Sequence, residues 1–325
     1  MSSTSVEAEG DQVEESYAAE LPASPPGFAG PVHSAGTSPS PPPRPRRPRV
    51  PLPPVFMIVI SAMLTLSALA LWGVAYVYVF GSAQEHRAQH VLYATLRAQI
   101  AEGTAPAGAK IALGAPVAVL SIPKLGLRNV AVVEGTTSTN LEAGPGHRRD
   151  TPLPGQAGAS FVLGRSATFG SPFAGIAKLK PGDAVNVQTG EGKFSFKVDA
   201  VRRPGDSLTP FDQGAARLTL VTSEATKGGA RQVVYVDATT NSNVQPAPSG
   251  RPSTIPVAEQ QLHGDHRGLG QGVLWLLGLV VVVVALSWTR VRWGLQPTLV
   301  VGVPVLAAVA WGVTESLTRL LPNLY

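Results

Sequence analysis

Ser223 closes the run Leu218, Thr219, Leu220, Val221, Thr222, Ser223 in a chain of 325 residues that contains no cysteine. A serine hydroxyl becomes a useful nucleophile only when a neighbouring base takes its proton, so its surroundings decide its chemistry. Lys227, four positions on, would make a Ser-Lys pair if the loop curled back and stripped the amine of water. Within Lys227-Gly228-Gly229 it reads instead as an exposed loop lysine. Glu224, beside Ser223, could orient a partner and reads as solvated. His86 and His90 stand at i and i+4, neighbours on one helical face, and His263 and His266 share a polar stretch. Neither pair has a third ligand nearby, so both read as solvated side chains; no metal and no other cofactor is expected. Without cysteine there are no disulfides and no thiolates, and the fold must rest on packing and hydrogen bonds.

Short alternating runs at 117–122, 130–133, 160–163, 184–189, 194–201, 218–221 and 232–238, separated by Gly and Pro, predict strands of one all-β domain over residues 115–240. Pro181-Gly182-Asp183 and Gly190-Glu191-Gly192 supply turn chemistry before and inside a hairpin. Around this domain the 30 prolines, 34 glycines and only 14% charged residues indicate tail, linker and membrane sequence. Residues 1–54 read as a disordered Pro-rich tail, and 55–80 as a retained transmembrane helix long enough for a ~30 Å hydrocarbon core. Residues 81–114 read as a juxtamembrane helix and linker, with Leu92, Leu96 and Ile100 at helical spacing. A polar linker at 241–270 leads to two further transmembrane segments, 271–289 and 296–314, and a short tail at 315–325.

Arg44, Arg46, Arg47 and Arg49 precede the first span, and Arg290 and Arg292 lie between the last two. The excess of arginine in cytoplasmic segments then places the tail and that loop inside and the β domain outside, in a multi-pass plasma-membrane protein. The net charge of +5 is gathered beside apolar segments, so lipid is the expected partner and nucleic acid is not.

Several stretches of the β domain resemble sortases. Ser121-Ile122-Pro123-Lys124-Leu125-Gly126-Leu127 is similar to that family's opening strand and turn. Val132-Val133-Glu134-Gly135-Thr136 follows, then Leu141, Gly144-Pro145-Gly146-His147, Pro154-Gly155, Gly164-Arg165, Phe169-Gly170, Pro172-Phe173 and Leu179-Lys180-Pro181-Gly182-Asp183. The Ser223 strand and Arg231 complete the series, which is similar to class E-like actinobacterial sortase domains. The resemblance implies a closed sortase-like β-barrel, flanked here by one N-terminal and two C-terminal transmembrane helices. It also implies a thioester-forming enzyme that cleaves a sorting signal and passes the acyl group to an amine, through a cysteine, a histidine and an arginine.

By that resemblance Ser223 stands at the cysteine position, Arg165 at the histidine position and Arg231 at the arginine position. His147 falls in a stretch that sortases carry away from their catalytic histidine and reads as structural. A permanently protonated arginine cannot act as the base a serine needs, so nucleophile and base are lost together. Three functions follow. The first is a catalytically silent domain that binds or organises cell-envelope components, with a sorting-signal peptide, a cell-wall precursor or another sortase as partner. The second is an anion-binding module in which Arg165 and Arg231 grip one carboxylate or phosphate. The third is an active transpeptidase or hydrolase using Ser223.

Overall fold

Eight strands close into a barrel in the computed structural model, which describes residues 54–212, 214–226, 231–263, 269–320 and 322–325. The tail at 1–53, Lys227 and His266 lie outside the described residues, and with them the expectations of a disordered tail and a Ser-Lys pair. Helix α1 spans Pro54–Ala75 and passes through a wider turn, Tyr76–Phe80, directly into α2, Gly81–Ala101. The first span and the juxtamembrane helix are therefore one continuous helical run. Gly81 does not break it because its backbone is α-helical and its bare Cα lies against Phe169, where a Cβ would sit 3.2 Å from the ring.

The barrel comprises β1 (Pro116–Ile122), β2 (Leu127–Glu134), the short helix α3 (Ser138–Ala143), β3 (Gly146–His147), β4 (Gly158–Leu163), β5 (Ala184–Thr189), β6 (Gly192–Arg202), β7 (Ala216–Ala225) and β8 (Arg231–Thr240). The strand order is β1-β2-β3-β4-β7-β8-β6-β5, with β5 returning to β1 to remove the open edge. The β2/β3 and β4/β7 pairs are parallel and the others antiparallel. Alternate residues of β6, Phe194, Phe196 and Val198, join Leu120, Ile122, Phe173, Leu218 and Leu220 in the core. That period of two is the sequence signal that the strands share. β3 gives no such signal, since two residues cannot show a period.

Gln89 hydrogen-bonds helix α2 to the barrel. The Gln89 amide accepts from the Ala131 N–H at 2.7 Å and donates to the carbonyls of Ala131 at 3.0 Å and Ala143 at 2.8 Å. The polar stretch after β8 is also held: Arg251 pairs with Glu134 at 3.1 Å, and Arg149 makes a two-pronged pair with buried Glu259 at 2.6 and 3.0 Å. In residues 241–263 the expected linker thus runs along the barrel.

Helices α4 (Leu269–Trp293) and α5 (Leu295–Leu320) pack as a hairpin turned at Gly294, whose φ of +84° suits glycine. Small residues bring their backbones together: a Cβ on Gly312 would lie 2.5 Å from the Trp275 ring, and one on Gly302 2.9 Å from Leu286. With α1–α2 they make three helices long and apolar enough to cross a membrane. α5 runs past the expected boundary at 314 to Leu320, helped by the i,i+4 pair of Glu315 with Arg319 at 2.7 Å.

Candidate functional site

The pairing of β7 with β8 places the site on the outer face of the barrel. Leu218 and Leu220 point into the core, so Thr219, Val221 and Ser223 point the other way. Ser223 pairs with Val233 and Ala225 with Arg231, which puts the arginine on the same face one step along. The Arg231 Nη1 donates to Ser223 Oγ at 2.9 Å and to Ser166 Oγ at 2.6 Å, and the two hydroxyl oxygens lie 3.0 Å apart. Ser223 is buried, at 2% exposure. Its hydroxyl donates to the carbonyl oxygen of Leu324 at 2.7 Å. The same oxygen receives the Ser166 hydroxyl at 3.0 Å and the Ser166 N–H at 3.3 Å.

Ser223 and Arg231 are thus brought together, and Arg165 is turned elsewhere. Arg165 is fully buried, with Nη2 donating to Ser138 Oγ at 2.8 Å and to the Ser138 carbonyl at 3.2 Å. Its Nη1 reaches Thr168 Oγ1 at 3.2 Å, and the guanidinium sits 4.9 Å from the Phe169 ring centre. Burial lowers its pKa to about 10, opposed by the neighbouring Glu142 carboxylate, so it is a cation at neutral pH. It cannot take a proton from serine.

Glu142 answers Arg165 from α3. Burial pushes its carboxyl up to about 7, against the attraction of Arg165 and Arg319. An acid whose folded-state pKa is raised ionises first in the unfolded chain, so folding stability falls as pH climbs from about 4.5 towards 7 and levels off above that. Glu142→Gln is expected to flatten that fall, which thermal midpoints of the two proteins at pH 5 and pH 8 would check. A fall of the same size in both would assign the dependence to other groups.

The other candidates are placed as follows. His147 is fully buried, with Nδ1 2.8 Å from Glu134 Oε2 and Nε2 2.9 Å from the Pro152 carbonyl, which makes it a brace between β3 and the following turn. Glu224 is held by Arg203 at 2.6 Å, and that hydrogen bond keeps its carboxyl below the usual range. His86 and His90 stack edge to face at 5.6 Å, and His263 Nδ1 lies 3.1 Å from the Gln261 carbonyl. No cluster of three or more metal-ligating side chains occurs among the described residues.

Ser166, Thr168, Ser138 and the residues 322–325 belong to the site and escape sequence reasoning. Ser166 had one signal, its place directly after Arg165. The others are joined to the site only by tertiary folding.

A family model for the sortase domain matches residues 120–239, the span that carries this face. That match covers the barrel and its candidate site, which are similar to a sortase domain, and leaves the flanking helices unmatched. The chain is 30% identical over 80 residues to sortase D of Bacillus subtilis (strain 168), covering 25% of this chain and 38% of that relative's length. Among solved structures, a sortase D5 transpeptidase of Clostridium perfringens is similar at 22% identity and a TM-score of 0.39, over 47% of this chain and 97% of that one. A sortase E mutant from Streptomyces avermitilis is similar at 29% identity and a TM-score of 0.31, over 40% and 93% respectively.

Proposed function

We propose that this protein is a membrane-anchored, extracytoplasmic sortase-like domain that transfers no acyl group and instead binds or organises cell-envelope components. The observation that carries the reading is the use already made of the Ser223 hydroxyl. Its proton is donated to a peptide carbonyl and its oxygen accepts from Arg231. Among the described residues its partners are Ser166, Leu324 and Arg231, none of which is a base. A hydroxyl so placed stabilises a carbonyl oxygen, and without a proton acceptor it does not attack the carbonyl carbon.

The two-arginine anion site receives less support, because Arg165 directs its Nη groups at Ser138 and Thr168 while Arg231 directs Nη1 at Ser166 and Ser223. Membrane topology is supported by the hairpin. Its helices, 25 and 26 residues long, extend about 38 Å each at 1.5 Å per residue. Residues 322–325 then return to the barrel, which is consistent with Arg290 and Arg292 on the opposite side of the membrane.

The test is turnover by the full chain in detergent micelles, given sorting-signal peptides and an amine acceptor, beside Ser223→Ala. Equal, background-level product from both proteins is expected. Product from the wild type that disappears in Ser223→Ala would establish a serine enzyme.

A further inference from the structure

Residues 322–325 fill the Ser223 face as a ligand would. They form a tight turn closed by the Tyr325 N–H to the Pro322 carbonyl at 2.9 Å. The Asn323 Nδ2 donates to the carbonyls of Ala258 at 2.9 Å and Gln260 at 2.8 Å, and its N–H donates to that of His263 at 3.0 Å. Leu324, fully buried, packs on Leu141, Leu163, Val221 and Val233. Its carbonyl oxygen takes the hydroxyls of Ser223 and Ser166, and the Tyr325 ring lies 4.2 Å beneath the Arg231 guanidinium. The Tyr325 main-chain oxygen accepts from Thr168 Oγ1 at 2.8 Å.

We infer that the Ser223–Ser166–Arg231 face is a peptide-binding cleft for a short turn of the pattern Pro-Asn-Leu-aromatic, and that the protein's own segment 322–325 is its resident ligand in cis. Each part of the turn meets a group suited to it: an amide meets two carbonyls, an aliphatic side chain meets an apolar patch, a carbonyl meets two hydroxyls and an aromatic ring meets a cation. Were the segment withdrawn, the two hydroxyls would lose their carbonyl acceptor and Arg231 its aromatic partner, leaving them ready for another peptide of the same chemistry. The segment lies one residue beyond the end of α5 at Leu320, so occupancy is tied to the position of a membrane helix.

This inference deepens the binding role proposed above and rests on it. The tether favours the cis ligand. At an effective concentration on the order of 1 mM, a cis segment with an intrinsic Kd of about 0.1 mM weakens a competing peptide about tenfold.

The natural lack of cysteine makes the experiment direct, since Ser223→Cys provides the only thiol in the full chain. In micelles, that thiol is expected to react slowly with a maleimide fluorophore, and adding Leu324→Asp is expected to speed labelling at least tenfold. A synthetic pentapeptide with the sequence of residues 321–325 should slow it again, whereas a scrambled peptide should not. Equal labelling rates with and without Leu324→Asp would overturn the occupancy. Fast labelling that the pentapeptide does not slow would overturn the peptide site. Asn323→Ala, which inserts no charge, serves the same comparison should Leu324→Asp fail to fold. Turnover by Ser223 would sink the silent reading without changing these labelling rates, so the two ideas fail separately.

Discussion

Asp237→Ala is expected to lower the unfolding free energy of the barrel by about 3 kcal/mol, the scale of breaking a buried ion pair from one side. Asp237 is fully buried on the same outer face of β8, where it accepts from Thr219 Oγ1 at 2.8 Å and takes both Nε and Nη2 of one Arg202 guanidinium edge. Arg202 in turn lies 5.2 Å from the Tyr235 ring centre. Removing the carboxylate leaves a largely buried guanidinium and a threonine hydroxyl without their acceptor. Asp237→Asn retains an acceptor oxygen for Thr219 and should cost less. Denaturant unfolding of the full chain in micelles would check the order; a change under 1 kcal/mol for Asp237→Ala would show that Arg202 simply swings to solvent.

Phe173→Ala is expected to cost about 3–5 kcal/mol through the cavity it opens. Phe173 is fully buried in the barrel core and sits so close to Gly164 that a Cβ there would lie 2.4 Å from its ring. Its N–H donates to the Arg165 carbonyl at 3.1 Å, so it underlies the backbone that presents Ser166 to the site. The same unfolding measurement applies. In a Ser223→Cys background, faster thiol labelling at temperatures well below the unfolding midpoint would show that the site loosens before the barrel melts. Stability within 1 kcal/mol of the parent would mean that the core collapses into the gap.

The barrel was legible because its strands repeat with a period of two. β5 is found at the residues the alternation picks out, and β7 extends that reading at both ends, since residues beside the apolar run continue the ladder with β8. β2 begins earlier than its apolar run because Leu127 pairs with Ile122, while exposed Arg128 and Asn129 lie in the irregularity between that pair and the rest of the ladder. The helices long and apolar enough to span a membrane were legible from length and hydropathy, whereas their continuation into α2 and to Leu320 depends on packing against Phe169 and on the Glu315–Arg319 pair. The site was half legible. Ser223 and Arg231 stand two strand positions and one hairpin apart, so their meeting follows from register. Leu324 is 101 residues from Ser223 along the chain, and no local pattern announces that its carbonyl completes the site.

A silent barrel and a serine enzyme differ in whether Ser223 forms a bond to an acyl group or only a hydrogen bond to a carbonyl. The direct measurement is the intact mass of the full chain after incubation with sorting-signal peptides, with and without an amine acceptor, read beside Leu324→Asp, in which the cleft is free. An unmodified mass in every case and intact peptide in solution are expected. An acyl adduct mapped to Ser223, present in either protein and cleared by the amine, would contradict it.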